Sequence, residues 1–294
     1  DFDPGAGTTN LTASVIVSAG TVITGPDVFV SKLDSSGNYV WAKSFGEPRS
    51  DWAESVAVDS SGNVYTTGSF GVGPVDFDPG SGTDSRTSNG VQQDVYVLKL
   101  DSAGDYVWAK NFGGTGNDMA RSIAVDSSGN VYTTGYFNGT VDFDPGAGTT
   151  NLTSNGGKDV FVSKLDSSGD LVWAKSFGGS ESDSAESVAV DSSGNVYTTG
   201  RFATYYSSGT VDFDPGAGTA GLPSNGSYDA FVSKLDSSGD YVWAKSLGGP
   251  AGDYGHSVAV DSSGNVYTAG SFHSGGYQGA VDFDPGAGTL ELIG

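Results

Sequence analysis

The sequence predicts an all-β chain built from four repeated units, and three recurring stretches predict it. The first, residues 159–177, reads DVFVSKLDSSGDLVWAKSF. It returns as DVFVSKLDSSGNYVWAKSF from Asp27, DVYVLKLDSAGDYVWAKNF from Asp94 and DAFVSKLDSSGDYVWAKSL from Asp229. Its tryptophans, Trp41, Trp108, Trp173 and Trp243, stand 67, 65 and 70 residues apart. The second, close to SVAVDSSGNVYTTG, keeps the same phase through Asp59, Asp126, Asp191 and Asp261. The third, VDFDPGAGT, surrounds Asp76, Asp142, Asp212 and Asp282 with small variations, and the N-terminus opens on a further DFDPGAGT. Self-similarity of this period is the signature of an array, so one domain of 294 residues is expected. Its units run roughly 27–93, 94–158, 159–228 and 229–294, with residues 1–26 completing the closing unit.

Each element follows from local chemistry. Residues 1–26 depart most from the repeat, and the apolar runs at Val15–Val17 and Thr21–Thr24 predict an extra hairpin about Gly20. The run from Asp27 to Asp34 is rich in β-formers and ends on Ser35-Ser36-Gly37-Asn38. There the aspartate caps backbone N–H groups and glycine takes positive φ. Residues 39–45 return as the partner strand. Val160-Phe161-Val162 and Leu171-Val172-Trp173-Ala174 are apolar on both faces, as in a strand covered on both sides. A second hairpin, residues 53–59 and 64–70, follows each first one, and then VDFDPG. No window keeps a helical period. Four short antiparallel strands per unit, covered on both faces and joined by tight turns, suit the blades of a β-propeller. The small-residue strand (Ser55-Val56-Ala57-Val58 and its copies) is expected innermost, and the tryptophan strand outermost with its ring between blades. The last unit supplies two strands, 257–261 and 266–272, and the N-terminus supplies the missing outer pair at 27–45. Four blades, closed by both termini, are therefore expected. The second terminal DFDPGAGT is then surplus: it hangs free, belongs to a longer array, or pairs with a neighbouring molecule.

Composition narrows function more by exclusion. The 47 glycines and 10 prolines would suggest disorder if they were aperiodic; at fixed phases they are turn residues. A formal charge of −22 disfavours nucleic acid and anionic lipid and favours divalent cations. There is no cysteine, hence no disulfide and no thiolate metal site. No apolar run reaches the roughly 20 residues that span a bilayer. The chain begins in mid-repeat at Asp1, so a mature, processed or excised segment is expected.

Units reading DVFVSKLDSSGDLVWAKSFGG, SVAVDSSGNVYTTG and VDFDPGAGT resemble the SBBP-type β-propeller repeats of secreted bacterial proteins. The resemblance spans nearly the whole chain except residues 13–26. It implies the fold strongly and says little about activity. It also implies an extracellular or cell-surface bacterial setting within larger proteins.

Several residues are candidates for chemistry. In an extended VDFDPG strand the two aspartates face one side, roughly 7 Å apart. Beside a turn full of carbonyls they suit Ca2+, which takes about six to eight oxygens. The candidate calcium ligands are Asp76 and Asp78, Asp142 and Asp144, Asp212 and Asp214, and Asp282 and Asp284; the alternative is that they cap turns. A weaker set is Asp51, Asp118, Asp183 and Asp253, which would crowd one mouth of a closed four-blade channel or, alternatively, cap neighbouring turns. The eight DSSGN, DSSGD and DSAGD turns are structural. The repeated tryptophans are expected to dock in the core rather than stack on sugars. Trp52 and Tyr254 near the proposed mouth, and Tyr205 and Tyr206 in an insertion, are weak candidates for contact with a ligand or partner.

Catalysis has little support. His256 and His273 are the only histidines, and carboxylate pairs recur in every unit where an active site should break symmetry. The reading is a non-catalytic structural or interaction module, calcium-stabilised and self-assembling through its terminal motifs. Its partners are itself or other surface proteins. The alternatives are a carbohydrate-binding propeller with glycan partners and, least favoured, a polysaccharide-acting enzyme. Neither nucleic-acid binding nor membrane insertion is expected.

Overall fold

In the computed structural model, residues 1–5, 7–18, 21–202, 210–224, 227–273, 281–284, 286 and 291–292 are described. Among them every regular element is a strand. A first hairpin joins β1 (Val15–Ser18) to β2 (Thr21–Thr24), as the extra apolar runs predict. β3 (Val28–Leu33) and β4 (Tyr39–Phe45) form a separate two-stranded sheet.

Three four-stranded antiparallel sheets follow. The first holds β5 (Trp52–Val58) and β6 (Val64–Phe70) and, past the small hairpin β7 (Pro74–Asp76) and β8 (Ser85–Thr87), β9 (Asp94–Leu100) and β10 (Tyr106–Phe112). Its spatial order is β10-β9-β6-β5. The second has β11 (Met119–Val125), β12 (Val131–Asp142), β13 (Asn151–Leu165) and β14 (Leu171–Phe177) in that order. Here the VDFDPG hairpin is continuous with the two middle strands. The third has β15 (Ser184–Val190), β16 (Val196–Phe202), β19 (Asp229–Leu235) and β20 (Tyr241–Leu247), with β17 (Thr210–Asp212) and β18 (Gly221–Pro223) as its small hairpin. The chain ends in β21 (Tyr254–Val260) paired with β22 (Val266–Ser271), and β23 (Val281–Asp282) paired with β24 (Glu291–Leu292).

The sheets are blades, and they fall out of phase with the sequence units. Each blade takes its inner pair from one unit and its outer pair from the next. The inner strands β5, β11, β15 and β21 touch in succession, and the tryptophan strands β10, β14 and β20 form the outer edges. Both expectations for strand order are met.

Turn chemistry explains the hairpins. Asp34 Oδ1 accepts from the N–H groups of Ser36 and Asn38, and the Gly37 N–H donates to the Asp34 carbonyl with Gly37 at φ 82°. That conformation is open to glycine at little cost. At Gly104, Gly169 and Gly239 the missing Cβ also makes room for the tryptophan of the preceding sheet; a Cβ on Gly104 would lie 2.9 Å from the Trp41 ring.

The core lies between sheets. Phe112 and Val97 of the first blade share one cluster with Ile123, Phe143 and Phe161 of the second. Tyr132, Val162 and Phe177 of the second share another with Val188, Phe213 and Phe231 of the third. The phenylalanine of each VDFDPG motif sits at the centre: Phe77, Phe143 and Phe213 are essentially inaccessible.

Among the described residues the expected closing blade is not formed: β22 pairs only with β21, and β3 only with β4. The physical reason is that each half-sheet follows the whole blade beside it. Val28, Val30, Trp41 and Phe45 join the core of the first blade, and β21 packs on β15 and β16 of the third. The sheets form an open series: three whole blades flanked by two halves.

Gly135 tests this packing. It faces a bulge between Ala120 and Ser122, and a Cβ there would lie 2.0 Å from the Met119 carbonyl oxygen. Backbone cannot yield as a side-chain tip can. Gly135→Ala is expected to destabilise by about 3 kcal/mol, at the upper end of overpacking costs. Gly139→Ala, at φ 81° with open space around it, is expected to cost only about 1 kcal/mol. Urea unfolding of the two variants checks the difference.

Candidate functional site

The VDFDPG carboxylates are engaged by the loop they begin. Asp142 Oδ1 accepts from the N–H groups of Asp144 and Thr150, and Asp144 Oδ1 from Gly146 N–H. The same pattern recurs at Asp76 and Asp78, and at Asp212 and Asp214. Asp284 Oδ1 accepts from Gly286 N–H, while the Asp282 side chain lies outside the described atoms. The second oxygens turn toward the loop glycines: a Cβ on Gly148 would stand 2.1 Å from Asp144 Oδ2. Among the described residues no three His, Cys, Asp or Glu side chains cluster as metal ligands do. A calcium ion at these loops would draw most of its oxygens from carbonyls and water.

The second aspartate set is buried. Asp51, Asp118, Asp183 and Asp253 are each about 1–2% exposed. Asp51 Oδ2 accepts from Glu47 N–H and Oδ1 from Gly71 N–H; Asp118 does the same for Gly114 and Asn138, and Asp253 for Gly249 and His273. Asp183 Oδ2 accepts from Gly179 N–H. Each carboxylate thus caps backbone N–H groups of the loop that precedes it, the alternative that the sequence also offers. Burial pushes the Asp51 carboxyl up to about 6, with Asp27 and Glu47 adding repulsion. Asp118 and Asp253 are raised by burial too.

A third set went unnoticed in the sequence. Asp94 and Asp229, at the heads of β9 and β19, and Asp159, at the equivalent position within β13, are fully buried. Asp94 Oδ2 accepts from Asn89 N–H and Asp159 Oδ2 from Asn155 N–H. Burial pushes both Asp94 and Asp159 up to about 7, with Asp118 and Asp183 respectively as repelling neighbours. The available signal was an aspartate leading an apolar strand in every unit, matched by the glycine after the tryptophan strand: a Cβ on Gly113 would lie 2.2 Å from Asp94 Cγ.

The aromatic candidates separate. Trp41 is buried, and Trp108 and Trp173 partly so; each of the three donates its indole N–H to a serine carbonyl of the following sheet. Trp52 is 48% exposed on β5. Tyr254 stacks on His256 and lies under the Arg201 guanidinium. Trp52 and Tyr254 sit at equivalent ends of β5 and β21, at opposite ends of the series. Tyr205 and Tyr206 lie outside the described residues. His256 Nε2 pairs with Ser271 Oγ, with no serine–carboxylate relay around it among the described residues. An open cavity of about 760 Å3 runs past Arg49, Ser50, Gln93 and Asn117 and presents no paired carboxylates.

Apolar positions that are covered in the whole blades lie open at the two ends of the series. On β5, Val56 and Val58 are 60% and 59% exposed, whereas their counterparts Ile123, Val188 and Val258 are buried at about 5–6% where they match Val56. On β3, Phe29 is 55% exposed, whereas Tyr96, Phe161 and Phe231 are inaccessible. On β22, Tyr267 is 59% exposed, whereas Tyr65, Tyr132 and Tyr197 are buried. These edges combine unpaired backbone with uncovered side chains.

Comparison with known proteins agrees with this geometry. The β-propeller repeat family SBBP matches at residues 40–69, 107–141, 172–201 and 242–273. An uncharacterised WD repeat-containing protein of Acanthamoeba polyphaga mimivirus is 27% identical over 209 residues, 63% of this chain and 15% of that protein. The regulatory protein FlaEY of Caulobacter vibrioides is 32% identical over 149 residues, 51% of this chain and 15% of that protein. The chain thus spans a small fraction of the curated relatives it matches. A protein of unknown function from Bacteroides caccae aligns over 75% of this chain and 94% of its own, at 10% identity and a TM-score of 0.20.

Proposed function

We propose that this chain, along which the SBBP β-propeller repeat matches four times, works as a non-catalytic structural and interaction module on the outside of a bacterial cell. The observation that carries this is the distribution of free valences. The repeated aspartates spend oxygens on backbone N–H groups, while strand edges and apolar side chains stand open at β3, β5 and β22. An open edge recruits a strand from a partner, with main-chain hydrogen bonds for affinity and side-chain pockets for specificity. The partners are other surface proteins or further copies of the chain.

The test is a glycan array run beside a hydrolysis screen on polysaccharides, both expected to be blank. An array signal lost in Trp52→Ala would replace this reading with a lectin. Turnover lost in His256→Gln would replace it with an enzyme.

Calcium stabilisation belongs to the same proposal, at the Asp76, Asp142 and Asp212 loops. Binding to the folded state must raise the melting temperature by mass action. Thermal unfolding in EDTA and in millimolar Ca2+ or Mg2+ is expected to show a rise specific to Ca2+. An unchanged melting temperature would leave these aspartates as turn caps alone.

A further inference from the structure

Neighbouring sheets meet through one set of contacts, repeated at each seam. Along the inner strands, Ser55 Oγ accepts from Ile123 N–H, Ser122 Oγ from Val188 N–H and Ser187 Oγ from Val258 N–H. Along the outer strands, the indoles of Trp41, Trp108 and Trp173 donate to the carbonyls of Ser102, Ser167 and Ser237. Within each whole blade, Lys99, Lys164 and Lys234 place their ammonium groups over Tyr65, Tyr132 and Tyr197, about 5 Å from the ring centres. All three series stop at the half-sheets, and they stop in complementary fashion. Ser257 is the next acceptor and Val56 N–H the next donor. Trp243 is the next indole and Ser35 the next carbonyl. Tyr267 is the next ring and Lys32 the next cation.

We propose that β22 of one copy of this chain pairs with β3 of a second copy, head to tail, forming a shared four-stranded blade in the order β21-β22-β3-β4. The register follows from the whole blades, where Thr198 lies opposite Ser233 and Gly200 opposite Phe231. It sets Thr268 opposite Ser31, Gly270 opposite Phe29 and Tyr267 opposite Lys32. The proposal names one partner for the interaction-module reading and deepens it.

Shape and charge fit. A cavity of about 350 Å3 between β22 and the third blade, walled by Ala230, Leu247, Gly270 and Phe283, lies where Phe29 of the second copy would enter. A cavity of about 290 Å3 beside Phe29, Ser55 and Val56 lies where β21 would rest. Charges alternate along the inner strands: Arg121 stands between Glu54, at 3.1 Å, and Glu186, at 3.8 Å. Joining two copies brings His256, rather than another carboxylate, beside Glu54. Two seam contacts are not reproduced. Asn38 stands where Asp105, Asp170 and Asp240 pair with lysines, and Ala269 replaces the threonines that donate to Tyr96, Phe161 and Phe231.

A second copy is favoured over closure within one chain because it keeps both half-sheets where they already pack. β3–β4 stays on the first blade and β21–β22 on the third, and Val56, Phe29 and Tyr267 become covered. The duplicated DFDPG motif fits the same picture. Phe2 packs on Phe29 at 4.9 Å, as Phe77 does on Tyr96 at 5.2 Å, and Phe283 packs on Phe272 at 5.3 Å, as Phe77 does on Phe70 at 5.3 Å. Each half-blade thus carries its own copy of the central phenylalanine, so the shared blade has one to spare. An interface of this heterologous kind closes into a ring when the rotation allows.

The chain has no cysteine, so single thiols report the register. In the third blade the equivalent oxygens, Thr198 Oγ1 and Ser233 Oγ, are 2.5 Å apart. Chains carrying Thr268→Cys and Ser31→Cys, co-expressed and oxidised, are expected to give a disulfide-linked heterodimer in high yield. The unmodified chain is expected to show by light scattering twice its 29.8 kDa mass. A monomer without crosslinking between chains overturns the proposal. So does a double variant, Ser31→Cys with Thr268→Cys, that crosslinks only within one chain. Equal yield from the off-register pair Ser31→Cys and Ala269→Cys overturns the register. None of these failures touches the module reading, which stands or falls on the glycan and hydrolysis screens.

Discussion

Phe143→Ala is expected to cost about 3–5 kcal/mol of unfolding free energy, the range for removing a buried aromatic ring from a core. Phe143 is wholly inaccessible and touches three rings: Phe112 at 5.0 Å, Phe161 at 5.3 Å and Phe137 at 5.4 Å. Phe112 belongs to the first blade and the other two to the second, so one side chain holds two sheets together. In a series where each blade touches only its neighbours, losing a seam uncouples the parts on either side. The variant is therefore expected to broaden the unfolding transition as well as shift its midpoint. Phe143→Leu, which keeps most of the volume, should cost under about 1.5 kcal/mol. Phe2→Ala, at the open N-terminal end where the equivalent ring is only partly covered, should cost less than Phe143→Ala by a wide margin. Equal losses at Phe2 and Phe143 would show that the seams are not where the core energy lies.

The second large effect is in pH. The melting temperature is expected to rise as pH falls from 8 to about 5, opposite to a protein held by salt bridges. Burial pushes Asp94 and Asp159 up to about 7 and Asp51 up to about 6, against an unfolded value of 3.8. Between these limits the folded chain holds protons that the unfolded chain has released. Stability is then greatest where both forms are protonated and declines as pH rises, until it passes the folded values. Each tenfold difference in proton affinity between the folded and unfolded chain is worth about 1.4 kcal/mol, so each of these aspartates is expected to remove a few kcal/mol by pH 8. The turn aspartates act in the other direction. Asp59, Asp126 and Asp191 also lose some hydration to burial, but hydrogen bonds from asparagine side chains and backbone N–H groups prevail and lower their carboxyls. Their contribution is lost only as pH falls below about 4. An optimum near pH ~4–5 is the net expectation. Asp94→Asn should raise the melting temperature at pH 8 and by much less at pH 5. A wild-type optimum at neutral pH would contradict the proton-holding role of these carboxyls.

What could be read from the chain was whatever its near neighbours in sequence control. The DSSGN turns, the tryptophan hairpin and the small-residue inner strand form where the repeats put them, because turn chemistry and β-patterning act over a few residues. The shared facing of the two VDFDPG aspartates was legible for the same reason, since strand alternation sets them on one side and Phe77, Phe143 and Phe213 on the other. Asp94 and Asp159 were missed because their burial comes from a glycine beyond the next strand and a loop from the preceding hairpin. Whether Asp142 and Asp144 spend their oxygens on amides was also open, because spacing permits both a cap and a ligand, and only the folded loop brings Thr150 N–H to Asp142. Blade closure was the largest divergence. The sequence alone determined that β21–β22 and β3–β4 are two halves of a common pattern. The tertiary structure decided that they do not meet, because each half gains its buried surface from the whole blade beside it, and those contacts leave the matching edges open.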